Sequence, residues 1–325
     1  MPLGFDMSLE ALRTYQGRNP RPADFDTYWD TALAEMEAVD PEVVWVSAEF
    51  QPPFAECLHL YFTGVGGARI HAKVVRPRTP SATPSPAVLQ FHGYTGSSGN
   101  WLQKLPYAAA GMTVAALDVR GQGGRSNDNS NVTGNTLNGH IIRGLNDALD
   151  GNPEKLLFRQ IFLDTAQLAK IIGAMPQVDA NRMGVMGASQ GGALTVACAA
   201  LVPSIKRASP VYPFLSDYKR VWEMDQTKDA YAELKSWFRR FDPRHEQEND
   251  VFKQLGYIDI QHLASRIKAE VVWHIGLDDT ICPPSSQFAT FNKLTCSTTL
   301  RIYPDFKHEG LANEPDETFE FMLGL

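Results

Sequence analysis

Apolar residues in the first third of the chain recur at two periods. Phe25, Tyr28, Trp29, Leu33 and Met36 fall three or four apart, which predicts an amphipathic helix over 25–39 on the outside of a core. Residues 45–50, 58–63 and 70–75 then read as strands, and Gly64-Val65-Gly66-Gly67 joins the last two as a hairpin connection. The sheet thus begins antiparallel. The Pro- and Ser-rich stretch 76–86 reads as a surface loop or linker.

Beyond that loop the grammar changes. Short apolar runs at 87–91, 113–117, 182–186, 270–275 and 299–303 alternate with helix-like segments, the pattern of a parallel sheet. Together the two halves predict an α/β fold: a mostly parallel central sheet with antiparallel N-terminal strands and helices on both faces. Catalytic groups then belong on loops at the C-terminal ends of the parallel strands. The expected organisation is a single domain over 1–325 with a helical extension at about 1–40. Two long intervals, about 127–158 and 212–266, read as insertions near the mouth of a site; the second holds an aromatic helix-like stretch, 231–241. No internal repeat is visible.

One segment carries chemistry. Gly187-Ala188-Ser189-Gln190-Gly191 sits between the strand-like run 182–186 and a small-residue helical run, 193–201. A G-x-S-x-G in strand-turn-helix context is a nucleophile elbow, whose glycines relieve crowding around an exposed serine hydroxyl. A serine needs a base, and the base needs an orienting acid, here expected in the chain order serine, acid, histidine. Of the histidines after Ser189, His274 lies inside an apolar strand and His245 and His262 lie in the second insertion. His308 follows the last strand and precedes a terminal helix over 316–323, so it is the expected base. The acid belongs after the preceding strand, where Asp278 and Asp279 are adjacent. Their side chains point different ways, so one reaches His308, and local chemistry leaves both open. Oxyanion donors are expected from the backbone N–H of Gln190 and of Tyr94, in the turn Phe91-His92-Gly93-Tyr94 after an early strand; His92 reads as a structural neighbour.

The remaining features narrow the class. The 325 residues, 43% hydrophobic and 21% charged, are enough for a sizeable core. A formal charge of -7 without a basic run argues against nucleic acid as a partner. Cys57, Cys198, Cys282 and Cys296 are widely spaced, which suggests buried thiols and neither a zinc site nor a disulfide framework. No apolar run is long enough for a membrane span. Asp6, Glu10 and Arg13 interrupt the N-terminal apolar residues, so a cytoplasmic location is expected. Asn131-Val132-Thr133 matches a glycosylation acceptor by chance.

Read in order, the motifs resemble the acetyl xylan esterase/cephalosporin C deacetylase family of α/β-hydrolases, carbohydrate esterase family seven. The resemblance rests on Phe25-Asp26 with Tyr28-Trp29, the His92-Gly93-Tyr94 turn, Asp118 with Arg120-Gly121-Gln122-Gly123, and Arg143-Gly144. It continues through the segment 187–192, Pro213-Phe214-Leu215, Gly276-Leu277-Asp278-Asp279 with Cys282-Pro283-Pro284, and Tyr303-Pro304 with His308-Glu309-Gly310. It implies Asp279 as the acid, with Asp278 in the variable position. It also implies an Arg120-Gly121-Gln122 turn whose arginine braces loops beneath the site, and Tyr94 at the substrate. The expected activity is a serine esterase that deacetylates small carbohydrates such as acetylated xylo-oligosaccharides, and cephalosporin C, without metal or organic cofactor. A lactone hydrolase or peptidase would use the same triad, and a non-catalytic binding protein the same fold. The family implies a homo-oligomer, typically a hexamer, although residues 145–158 are less aromatic here than is usual around its inter-subunit loop.

Overall fold

The computed structural model describes residues 5–130, 132, 141–226 and 228–325. Its strands are β1 (Val44–Ser47), β2 (Ala55–Thr63), β3 (Arg69–Pro77), β4 (Ser85–Phe91), β5 (Thr113–Leu117), β6 (Val178–Ala188), β7 (Arg207–Val211), β8 (Glu270–Gly276) and β9 (Thr298–Tyr303). They form one sheet in the order β1-β2-β3-β5-β4-β6-β7-β8-β9. β2 pairs antiparallel with β3 from Ala55↔Pro77 to Thr63↔Arg69, and β3 pairs antiparallel with β5. From β5 through β4 to β9 every pairing is parallel. The change of direction falls between β3 and β5, as the change of sequence pattern predicts.

Alternation along the strands sends side chains to two cores. In β4, Leu89 joins the large cluster on one face, while its neighbour Val88 packs with Tyr107, Val114 and Met322 on the other. The helices α1 (Phe25–Ala38), α2 (Leu105–Ala109), α3 (Leu157–Gly173), α4 (Gln190–Leu201), α5 (Ala232–Phe241), α6 (Glu248–Leu255), α7 (Pro284–Phe291) and α8 (Glu314–Leu323) include layers on both faces. α1, α3 and α4 share the large cluster, and α2 and α8 cover the other side. Trp29 anchors α1 by stacking on Phe162 of α3 at 5.9 Å, and its indole N–H donates to the Tyr257 carbonyl. Every residue of α4 is buried, because its Ala- and Gly-rich sequence lets the sheet approach from below. This is an α/β-hydrolase fold.

Five sequence expectations change. β1 ends at Ser47, short of Phe50, and the loop after β3 shrinks because β3 runs through Pro77 and β4 starts at Ser85. A 3-10 turn, Val65–Gly67, makes the β2–β3 connection, with Gly66 at φ 75°. The interval 127–158 ends inside α3, whose first residues are Leu157 and Phe158; Asn131 and Thr133 of the glycosylation triplet lie outside the described residues. β7 is a further central strand that the apolar pattern missed. Its sequence Arg-Ala-Ser-Pro-Val has little apolar character, and its register to β8 skips Ser209 and Pro210, where proline has no N–H to donate. Among the described residues, no helix is long and apolar enough to cross a membrane.

Candidate active site

β6 ends at Ala188 and α4 begins at Gln190, which forces the chain to reverse through one residue. Ser189 takes φ 58°, ψ -119°, a conformation that costs a non-glycine residue on the order of 1–3 kcal/mol. Backbone bonds hold it there: its N–H donates to the Val211 carbonyl at 2.9 Å, and its carbonyl accepts from Phe214 N–H at 3.0 Å. The flanking glycines are required by space. A Cβ on Gly187 would stand 2.5 Å from the Phe91 carbonyl oxygen, and one on Gly191 only 2.1 Å from it. The end of β4 is therefore pressed against the elbow.

The loops after β8 and β9 bring the partners. Gly276 lets them meet, since a Cβ there would lie 2.5 Å from the Phe306 carbonyl oxygen. His308 Nε2 stands 3.0 Å from Ser189 Oγ, and His308 Nδ1 stands 2.8 Å from Asp279 Oδ2. Asp279 is fully buried, and its Oδ1 accepts from the N–H groups of Ile281 and Cys282 at 2.8 and 2.9 Å. Asp278 points away, with its carboxylate 4.0 Å from Lys307 Nζ at the surface. Of the two acids left open by local chemistry, Asp279 reaches His308. Because Asp279 is an acceptor, the network places the imidazole proton on Nδ1 and leaves the Nε2 lone pair toward Ser189.

The other histidines lie elsewhere. His274 is buried within β8 beside the Tyr303 hydroxyl, and burial holds its pKa down at about 4. His262 packs edge-on to Phe25, and His245 pairs with Glu248. His92 accepts from Val119 N–H at Nε2 and donates from Nδ1 to the Gly93 carbonyl, so both ring nitrogens are committed to holding the turn.

Behind the elbow lies a bracing layer. Gln190 and Gln122 form a reciprocal amide pair, 2.7 Å from Gln122 Nε2 to Gln190 Oε1 and 3.1 Å in the other direction. The 120–122 turn thereby reaches the residue after the nucleophile. Arg120 is buried, and its Nε and a terminal NH2 grip both oxygens of Asp164 on α3 at 2.5 and 2.7 Å. Gly121 provides the turn at φ 63°. Tyr94 donates its phenol to Glu233 of α5 at 2.8 Å, and the same carboxylate accepts from Ile141 N–H. Ile141 in the 127–158 interval and Glu233 in the 212–266 interval are thus tied to the loop that carries Tyr94.

Gly93, Tyr94, Ser189, Phe214, Asp229, Ala230, Ile281 and His308 line a pocket of about 450 Å³. Tyr212 and Cys282, in contact with the triad, are among the residues that sequence reading missed. The ring of Tyr212 lies 4.7 Å from that of His308, and burial pushes its phenol up to about 12. The thiol of Cys282 is buried against Ser189, and burial together with Asp279 raises its pKa well above the usual thiol range. Its position three residues after Asp279, within one turn, was the available signal.

Acetyl xylan esterase 1 from Thermoanaerobacterium sp. JW/SL YS485 is 56% identical, with 98% of this chain and 99% of that one covered and a TM-score of 0.95. An acetyl xylan esterase from Paenibacillus sp. R4 is 34% identical at a TM-score of 0.91, covering 98% of this chain and 99% of that one. Acetyl esterase Axe7A of Xylanibacter ruminicola is 24% identical over 311 residues, which are 93% of this chain. The match takes in 66% of that longer relative. The profile described as acetyl xylan esterase (AXE1) matches residues 1–325, and the chain belongs to that family.

Proposed function

We propose that the protein is a serine esterase that removes acetyl groups from small acetylated carbohydrates, acetylated xylo-oligosaccharides foremost, and from cephalosporin C. The observation that carries this reading is the unbroken line from Asp279 through His308 to Ser189, at 2.8 and 3.0 Å, opening on the pocket. Ser189 is the nucleophile. His308 takes its hydroxyl proton through Nε2 as the oxygen attacks the acetyl carbonyl, and the backbone N–H groups of Tyr94 and Gln190 receive the oxyanion. His308 returns the proton to the leaving sugar oxygen, then activates water to release acetate. Asp279 stays ionised and holds the useful tautomer. Nothing in this cycle calls on a metal or cofactor.

Phe214, Ile281 and Ala230 bring apolar surface to the pocket lining, suited to an acetyl methyl, and Asp229 brings a carboxylate suited to sugar hydroxyls. Acetate release from acetylated xylo-oligosaccharides and cephalosporin C, set against longer acyl esters, a lactone and a peptide, tests the substrate class. Faster turnover of the lactone or peptide would sink it. The same reading places the enzyme in the cytoplasm as a homo-oligomer, a hexamer. Exposed Val44, Val46, Phe50 and Phe54 near the β1 edge support association, and light scattering in solution tests it.

A further inference from the structure

The acyl-transfer cycle leaves the Cys282 thiol without a role, although it is fully buried next to the reacting atoms. Its Sγ, a carboxylate oxygen of Asp279 and a ring nitrogen of His308 all lie within 4.8 Å of one another. One sulfur, one nitrogen and one oxygen donor therefore converge from the loops after β8 and β9. Oxygen-seeking Mg2+ and Ca2+ have little use for such a set, whereas thiolate with imidazole suits Zn2+ and Cd2+. Zinc bonds of about 2.0–2.3 Å put tetrahedral ligand atoms about 3.3–3.7 Å apart, so closing the set needs a contraction of at most about 1.1–1.5 Å. Two of the ligands already share one turn, in which Cys282 N–H donates to Asp279 Oδ1 at 2.9 Å. The third, His308, lines the pocket and gives a cation its way in.

We infer that Asp279, Cys282 and His308 form a latent site for a thiophilic divalent cation, Zn2+ or Cd2+, whose binding switches the esterase off. The switching rests on the function proposed above; the binding does not. On binding, the S–H bond breaks, a sulfur–metal bond forms and the proton leaves to solvent, with no change of oxidation state. Coordination through His308 Nδ1 removes its bond to Asp279, and coordination through Nε2 occupies the lone pair that takes the Ser189 proton. Either way His308 is lost as a base.

The test titrates the full chain with Cd2+ while following the ultraviolet thiolate-to-cadmium absorbance, with acetyl ester hydrolysis measured in parallel under Cd2+, Zn2+ and Mg2+. A Cys296→Ser background removes the one partly exposed thiol. The expected result is a stoichiometric band that Zn2+ bleaches, and a loss of activity of roughly tenfold or more that EDTA reverses and Mg2+ does not cause. Adding Cys282→Ser should abolish the band and cut the sensitivity of whatever rate remains by roughly tenfold or more. Ser189→Ala should keep the band. No band in the background protein, or equal inhibition with and without Cys282, overturns the site. A Ser189→Ala protein that keeps both the band and full turnover instead overturns the esterase reading and leaves the metal site standing.

Discussion

Replacing Asp279 with Asn preserves the shape of the side chain and exchanges one oxygen for an NH2. The N–H groups of Ile281 and Cys282, at 2.8 and 2.9 Å, require an oxygen on their side, so the new NH2 must face His308 Nδ1. A donor cannot face a donor. His308 must then accept at Nδ1 and carry its proton on Nε2, pointing it at Ser189 Oγ 3.0 Å away, where it can no longer receive one. Loss of the useful tautomer at a triad costs about 10⁴ in kcat, equivalent to about 5.4 kcal/mol at about 1.36 kcal/mol per tenfold. Asp278→Asn removes only an exposed pairing with Lys307, worth under about 1 kcal/mol, and should change kcat by less than about fivefold. Steady-state hydrolysis of an acetyl ester by both variants, each checked for an unaltered melting curve, reads the difference directly. An Asp279→Asn variant that keeps more than about a tenth of kcat, or an Asp278→Asn variant that loses more, would refute the role of Asp279 in fixing the His308 tautomer.

Gln122→Ala should lower kcat by roughly tenfold with little change in KM. It strips the fully buried Gln190 amide of its reciprocal partner, at about 1–3 kcal/mol, next to the N–H assigned to the oxyanion; an unchanged kcat would separate the amide pair from catalysis. Asp164→Ala leaves the buried Arg120 guanidinium uncompensated and should cost about 3–5 kcal/mol, seen as a lower urea midpoint. A midpoint shift worth under about 1 kcal/mol would show that water or another group compensates the arginine. Burial and the neighbouring Asp217 push the Asp259 carboxyl up to about 7. Its folded pKa is raised above the unfolded value of about 3.9, so the stability it contributes is present below that value and lost as pH rises toward 7. Asp259→Asn cannot ionise, and its NH2 meets the Gln261 Nε2 donor at a cost that does not vary with pH; its stability relative to the natural chain should rise between about pH 4 and pH 8, by up to about 4 kcal/mol. A difference independent of pH contradicts that linkage.

The period-2 and period-3.6 patterns made most of the sheet and α1 readable, because burial on one face or both dictates apolar spacing regardless of what packs there. β7 was not readable. A strand of Ala, Ser and Pro between two larger neighbours is specified by those neighbours and by the register of β6, which lie elsewhere in the chain. The chain order of Ser189, the 278–279 pair and His308 pointed to the residues that the structure brings together. The choice of acid came from resemblance and not from local chemistry. Which of two adjacent carboxylates turns inward depends on the Ile281 and Cys282 amides, a matter of three-dimensional turn geometry. Tyr212 and Glu233 were invisible as site residues for the same reason, and Cys282 was marked only by its spacing from Asp279. Their chemistry is ordinary in sequence and acquires meaning only where Cys282 abuts Ser189, Tyr212 lies against His308, and Glu233 receives Tyr94. The pairing of Gln190 with Gln122 lies between these cases, since both motifs stood out but nothing along the chain joined them.

In the proposed cycle acetyl passes through Ser189. Rapid acid quenching during turnover of an acetylated xylo-oligosaccharide, followed by peptide mass spectrometry, captures the covalent intermediate. One acetyl group is expected on the peptide carrying Ser189, and none on the peptide carrying the adjacent thiol of Cys282. Acetyl on Cys282, or continued acetate release by a pure Ser189→Ala protein, would rule out Ser189 as the nucleophile.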